Sequence, residues 1–174
     1  MNIIFLDVDG VLCYSSYANK DTANIDIDKV KMIKEICDKT DAKVVISSSW
    51  KGNDAETPYI YYTLLDVLEN NGIKVLGKTP YIETEFEGDV PDSICITNLE
   101  DLPYFKSKHG TGRAAEVEAW IKEHEVSNFV ILDDEDFDWA DYDFDKHWIS
   151  PSWFENGLQR EHVDKIIKIL KGDI

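Results

Sequence analysis

Ile3-Ile4-Phe5-Leu6-Asp7-Val8-Asp9-Gly10-Val11 is the stretch on which the fold turns. Four consecutive apolar residues lead directly into two carboxylates. An apolar run this short, without polar alternation, reads as a strand covered on both faces, the central strand of a parallel sheet. Asp7 and Asp9 sit two apart, so extended backbone sends both side chains to one side. Such a pair can divide a phosphoryl transfer. Asp7 attacks phosphorus and carries the group as an aspartyl-phosphate. Asp9 protonates the leaving oxygen, then takes a proton from water. Gly10 allows the backbone to turn sharply just beyond.

Outward from this strand, the pattern alternates. Lys43-Val44-Val45-Ile46-Ser47, Ile73-Lys74-Val75-Leu76-Gly77 and Phe129-Val130-Ile131-Leu132 read as three further strands. Helical spacing appears over residues 26–39, with Asp26 or Asp28 near the start, and over 58–71, stopped by Asn71-Gly72. Two more helices are predicted over 113–124 and 160–171. Val117, Trp120 and Ile121 share a face of the first, and Val163, Ile166, Ile167 and Leu170 a face of the second. This order predicts an open parallel α/β sheet with helices on both faces, in one domain spanning 1–174. Residues 78–110 break the alternation. They carry Pro80, Pro91, Pro103, Glu83, Glu85, Glu87 and Glu100, and read as an inserted excursion that could cover a site.

In sheets of this class, ligands bind beyond the carboxyl ends of the strands. Three strand ends carry chemistry: Asp7 with Asp9, Ser47-Ser48-Ser49, and Asp133-Asp134. Adjacent acids beside a core call for a cation, and Mg²⁺ takes one or two carboxylates while keeping water and substrate phosphate. Asp7 and Asp133 as side-chain ligands, the Asp9 carbonyl, and Asp134 alongside form the candidate metal set. Serine hydroxyls and nearby N–H groups can hold phosphoryl oxygens, with Ser48 the first choice and Ser47 the second. Arg113 opens a helix after Gly110-Thr111-Gly112, where N–H groups also favour anions, and Lys51 is its rival as the phosphate-binding cation. The later acids, from Glu135 to Asp145, lack the glycine of a calcium loop and read as a solvated loop. The four histidines show no ligand spacing.

Eighteen basic against thirty-five acidic residues give a net charge of −17. A surface of this sign repels extended nucleic acid and anionic membrane, but a bound divalent cation still admits a small phosphorylated molecule or a strand end. No apolar run approaches the roughly 20 residues of a membrane span. The N-terminus has neither basic start nor cleavage pattern, so a cytoplasmic location is expected. Cys13, Cys37 and Cys95 are widely spaced and are expected to be free thiols.

Taken together, Asp7-Val8-Asp9-Gly10-Val11, the hydroxyls after Val44-Val45-Ile46, a basic residue on a later helix, and Asp133-Asp134 resemble the haloacid dehalogenase (HAD) superfamily, in its motif order. Ser47-Ser48-Ser49-Trp50-Lys51, with Arg113-x-x-Glu116-Val117-x-x-Trp120-Ile121, is similar to the branch found in Swiss Army Knife RNA-repair proteins. The resemblance implies a Rossmann-like core with a small cap or none. It also implies Mg²⁺, Asp7 as nucleophile, Asp9 as acid/base and Ser48 on the phosphoryl group. The superfamily carries lysine at its third motif, where this chain offers Arg113. The expected activity is phosphomonoester hydrolysis on a nucleotide or a nucleic-acid terminal phosphate. A non-catalytic acidic mimic of nucleic acid on the same scaffold is the alternative that the charge raises.

Overall fold

The computed structural model describes residues 1–53, 55–88 and 105–173. Strands β1 (Asn2–Leu6), β2 (Lys43–Ile46), β3 (Val75–Lys78), β4 (Asn128–Leu132) and β5 (Trp148–Ile149) form one sheet in the order β3-β2-β1-β4-β5. Every pairing is parallel. The helices are α1 (Ile27–Thr40), α2 (Tyr59–Asn70), α3 (Gly112–Glu123) and α4 (Arg160–Lys171).

β1 is central because its residues are apolar on both sides. Ile4 and Leu6 join Val44, Ile46, Val130 and Leu132 in a core that takes in α1, α2 and α4. Ile3 and Phe5 point the other way and meet Val45, Ile131 and the Ala114, Val117 and Trp120 face of α3. The period-two alternation of a strand thus feeds two cores from one run of residues. Phe5 meets Trp120 edge-on at 5.5 Å and Phe129 at 6.0 Å. At the opposite end of β1, the Asn2 amide donates to Thr40 O and Leu170 O, fastening the C-terminal ends of α1 and α4 to the sheet.

The helix signals translate into physical caps. The Asp26 carboxylate accepts from Asp28 N at 2.8 Å and starts α1. α2 ends at Asn71 and Gly72, and α4 at Gly172 in the left-handed region.

Two features depart from the sequence reading. β5 is a fifth strand, too short to stand out among the acids around it. Moreover, the Glu135–Asp145 stretch is more than a solvated loop. It folds through a 3₁₀ turn at Trp139–Tyr142 and sends Trp139 and Phe144 into the α3-side core. Acids alternate with aromatics there, so charge masked the apolar contribution. The excursion is closed at its base by antiparallel pairing, with Glu87 N donating to Lys106 O and Lys108 N to Glu85 O, both at 2.8 Å. Its interior, with Pro91, Cys95, Glu100 and Pro103, lies outside the described residues. Cys13 and Cys37 are free thiols.

Phe5→Ala empties the aromatic centre of the α3-side core. The substitution is expected to cost about 3–5 kcal/mol, read as a lower urea midpoint with an unchanged m-value.

Candidate active site

The strand pairing continues one residue past β1 and β2. Asp7 N donates to Leu132 O and Ser47 N to Leu6 O, both at 2.9 Å. Asp133 N donates to Ile149 O. Neighbouring strands lie only about 4.8 Å apart, so Asp7, Ser47 and Asp133 are forced together at one edge of the sheet. After Asp7 the chain coils tightly, with the Val8 carbonyl accepting from Val11, Leu12 and Cys13 N–H. Gly10 has φ +70°, and a Cβ placed on it would lie 2.1 Å from Asp134 Cγ. Glycine therefore does more here than permit a turn. Its bare Cα lets the two carboxylate-bearing loops touch.

Asp7, Asp9, Ser49, Arg113, Asp133, Asp134, Glu135 and Phe137 line a cavity of about 160 Å³. One guanidinium nitrogen, Arg113 Nη1, donates to Ser47 O at 2.6 Å, Asp133 Oδ2 at 3.0 Å and Asp7 Oδ1 at 3.3 Å. The guanidinium also lies over the Phe137 ring, 4.8 Å from its centroid. The structure thus puts Arg113, rather than Lys51, against Asp7 and Asp133. Lys51 is buried, and its ammonium pairs with Glu116 at 3.2 Å and donates to Pro80 O at 3.0 Å.

The serines part company. Ser47 is buried, its carbonyl taken by Arg113 and its hydroxyl without a partner among the described residues. Ser48 is buried beside Asp7, and its hydroxyl accepts from Trp50 N at 3.3 Å. Ser49 is exposed and lines both the carboxylate cavity and a larger neighbour of about 330 Å³. That neighbour is also lined by Ser48, Lys51, Asn53, Tyr81, Arg113 and Phe137.

Sequence reasoning missed three supporting residues. Trp50 Nε1 donates to Asp9 Oδ2 at 2.8 Å. Glu116 is buried, holding Lys51 and accepting from Ile82 N at 3.0 Å. Its position three residues after Arg113, on the same helix face, was the available signal. Phe137 was hidden in the acidic run.

Burial pushes Asp7 up to about 6, against opposing pulls from Arg113 and from the Ser48 side chain. Burial, with Asp7 close by, drives Asp133 well upward, and burial with Glu135 moves Asp134 up to about 6. Burial disfavours charge on Arg113 too, but Asp133 and Asp7 beside it outweigh that and raise its pKa. One cation faces three acids, and carboxylate oxygens of Asp7, Asp133 and Asp134 lie within 4.8 Å of one another. This all-oxygen, charge-deficient set fits a hard divalent cation such as Mg²⁺. The Asp9 carboxylate stands outside that trio, turned to Trp50.

A family model described as the HAD domain in Swiss Army Knife RNA repair proteins matches residues 3–163. The chain belongs to this HAD family. No curated protein and no solved structure matches it. The five-stranded parallel sheet is the Rossmann-like core of a HAD domain. Membership supports a phosphatase-like function and does not favour the acidic-mimic alternative. Among the described residues of this HAD domain, no helix is long and apolar enough to cross a membrane.

The raised carboxylates set a pH dependence for the HAD domain freed of divalent cations. Between the ordinary value of 3.8 and about 6, folded Asp7 and Asp134 hold protons that the unfolded chain has released. Stability therefore falls as pH rises through this window. Thermal melts in chelator should show that fall, and Asp134→Asn should flatten it.

Proposed function

We propose that the chain is a Mg²⁺-dependent phosphomonoester hydrolase working through an aspartyl-phosphate on Asp7. The observation that carries this reading is the shared Arg113 nitrogen, which braces a buried Asp7 against Asp133 inside a small cavity that Asp9 also lines. Arg113 holds Asp7 Oδ1 at 3.3 Å, and the carboxylate lines the cavity in which it would meet phosphorus.

In the first half-reaction an Asp7 carboxylate oxygen forms a bond to phosphorus. The ester P–O bond breaks, and Asp9 gives its proton to the departing oxygen. In the second half-reaction Asp9 takes a proton from water as the water oxygen bonds to phosphorus. The bond to Asp7 breaks, releasing inorganic phosphate. Arg113 offers positive charge to the equatorial oxygens, Ser49 supplies an exposed hydroxyl and Ser48 a buried one beside Asp7. Mg²⁺, held by Asp7, Asp133, the Asp9 carbonyl and Asp134 alongside, would neutralise phosphate charge as a Lewis acid. Ser47 acts through its carbonyl, which orients Arg113. Lys51 serves the wall of the larger cavity.

That larger cavity, about 330 Å³ and bearing Tyr81 and Phe137, takes the leaving group. Its aromatic lining and modest size suit a nucleotide or the terminal nucleotide of a strand, while the charge of −17 disfavours grip on an extended strand. The chain works as a single domain, in the cytoplasm.

Hydrolysis should be tested over nucleotides, sugar phosphates and 3′- or 5′-phosphorylated oligonucleotides. Activity with Mg²⁺ and its loss in chelator are expected. Asp7→Asn should lower kcat by at least about a thousandfold. Turnover that survives Asp7→Asn removes Asp7 as nucleophile, and silence on every ester with Mg²⁺ present removes the hydrolase reading. Mg²⁺ should also raise the melting temperature of the wild type by mass action, and Asp133→Asn should shrink that rise.

A further inference from the structure

Trp50 occupies an unusual place for so large an apolar residue, directly behind the acid/base carboxylate. It lies in a 3₁₀ turn, Ser49–Lys51, that follows β2. The turn is fixed at both ends. Ser48 Oγ accepts from Trp50 N at 3.3 Å, Lys51 N donates to Ser48 O and Gly52 N to Ser49 O, each at 3.1 Å. Trp50 is largely buried and belongs to the core that also holds Val8, Leu12 and Tyr61. Its Nε1–H donates to Asp9 Oδ2 at 2.8 Å. No other hydrogen bond reaches that carboxylate among the described residues.

An indole N–H only donates. Oδ2 must therefore present a lone pair to it whether Asp9 is ionised or protonated. Accepting that bond lowers the basicity of Oδ2 and favours the transferable proton on Oδ1, which has no hydrogen bond among the described residues.

We infer that Trp50 is a positioning residue that sorts the two oxygens of Asp9 and so directs proton delivery to the leaving group. The inference rests on the hydrolase reading above. It concerns one step of it, the cleavage of the ester P–O bond. There the proton passes from Asp9 Oδ1 to the departing oxygen as that oxygen loses its bond to phosphorus.

Esters differ in how much they need that proton. A nitrophenolate leaves as an anion, whereas an alkoxide must be protonated as it departs. The test compares kcat/KM for p-nitrophenyl phosphate and for an alkyl phosphate that the wild type turns over, because kcat/KM reports only steps through loss of the leaving group. Trp50→Phe should lower kcat/KM for the alkyl ester by at least about tenfold, and that for the aryl ester by less than about threefold. Trp50→His, which restores a ring N–H, should recover part of the alkyl activity. In an Asp9→Asn background, Trp50→Phe should cost nothing further. Equal loss on both esters, no loss on either, or a full further loss on top of Asp9→Asn overturns the inference. Should Trp50→Phe fail to fold, the wild-type indole N–H resonance decides. It shifts in Asp9→Asn if the bond is present, and an unmoved resonance overturns the inference. Asp7→Asn serves as the separate control. Activity persisting there removes the hydrolase reading itself, whereas an ester-independent Trp50→Phe effect with Asp7-dependent activity removes only the role of Trp50.

Discussion

A single guanidinium nitrogen holds the ends of three strands of this molecule together. Arg113 Nη1 spans Asp7 after β1, the Ser47 carbonyl after β2 and Asp133 after β4. Two buried carboxylates side by side are costly, and their upward-shifted pKa values record that cost. Removing Arg113 would leave that pair uncompensated, so the cation is part of the sheet's closure as well as of the chemistry. Its own position depends on α3. That helix is set by Val117 and Trp120 against Phe5 and by the buried Lys51–Glu116 pair.

The fold was legible where residues were apolar without interruption. Ile3–Leu6, Val44–Ile46 and Val130–Leu132 announced buried parallel strands, and the carboxylates that follow two of them marked the edge that carries the candidate site. Helix termini were legible where capping chemistry was local, as at Asp26 and at Asn71-Gly72. β5 and the Trp139–Phe144 plug were not, because Asp138, Asp141, Asp143 and Asp145 dilute any hydrophobic period. Such aromatics are buried by tertiary packing, which no local window records.

The site was legible in its charges and obscure in its supports. Asp7, Asp9, Asp133 and Asp134 stand out because acids after apolar strands are expensive. Choosing between Arg113 and Lys51 required three-dimensional distances, since both are cations near polar turns. The serine run could not be divided by sequence either. Identical residues become, in the fold, a backbone carbonyl that accepts from Arg113, a turn cap beside Asp7 and an exposed hydroxyl. Trp50 reaches Asp9 across 41 residues of chain, so that contact leaves no trace in spacing, whereas Glu116 is marked only by its place three residues after Arg113.

The antiparallel clasp at the foot of the excursion has an evolutionary consequence. Glu85 and Glu87 meet Lys108 and Lys106 through the backbone, and a Lys108–Glu85 ion pair at 3.0 Å flanks the junction. Since the two ends are already joined, chain added between them extends a closed loop, and the entropic penalty grows only with the logarithm of its length. The clasp lies beside Thr111, which precedes α3, yet bears none of the carboxylates that line the small cavity. Insertions there can remodel whatever surrounds the larger cavity while the strand ends stay in register. This domain can therefore lengthen that segment at little entropic cost while the carboxylate-bearing strand ends keep their geometry.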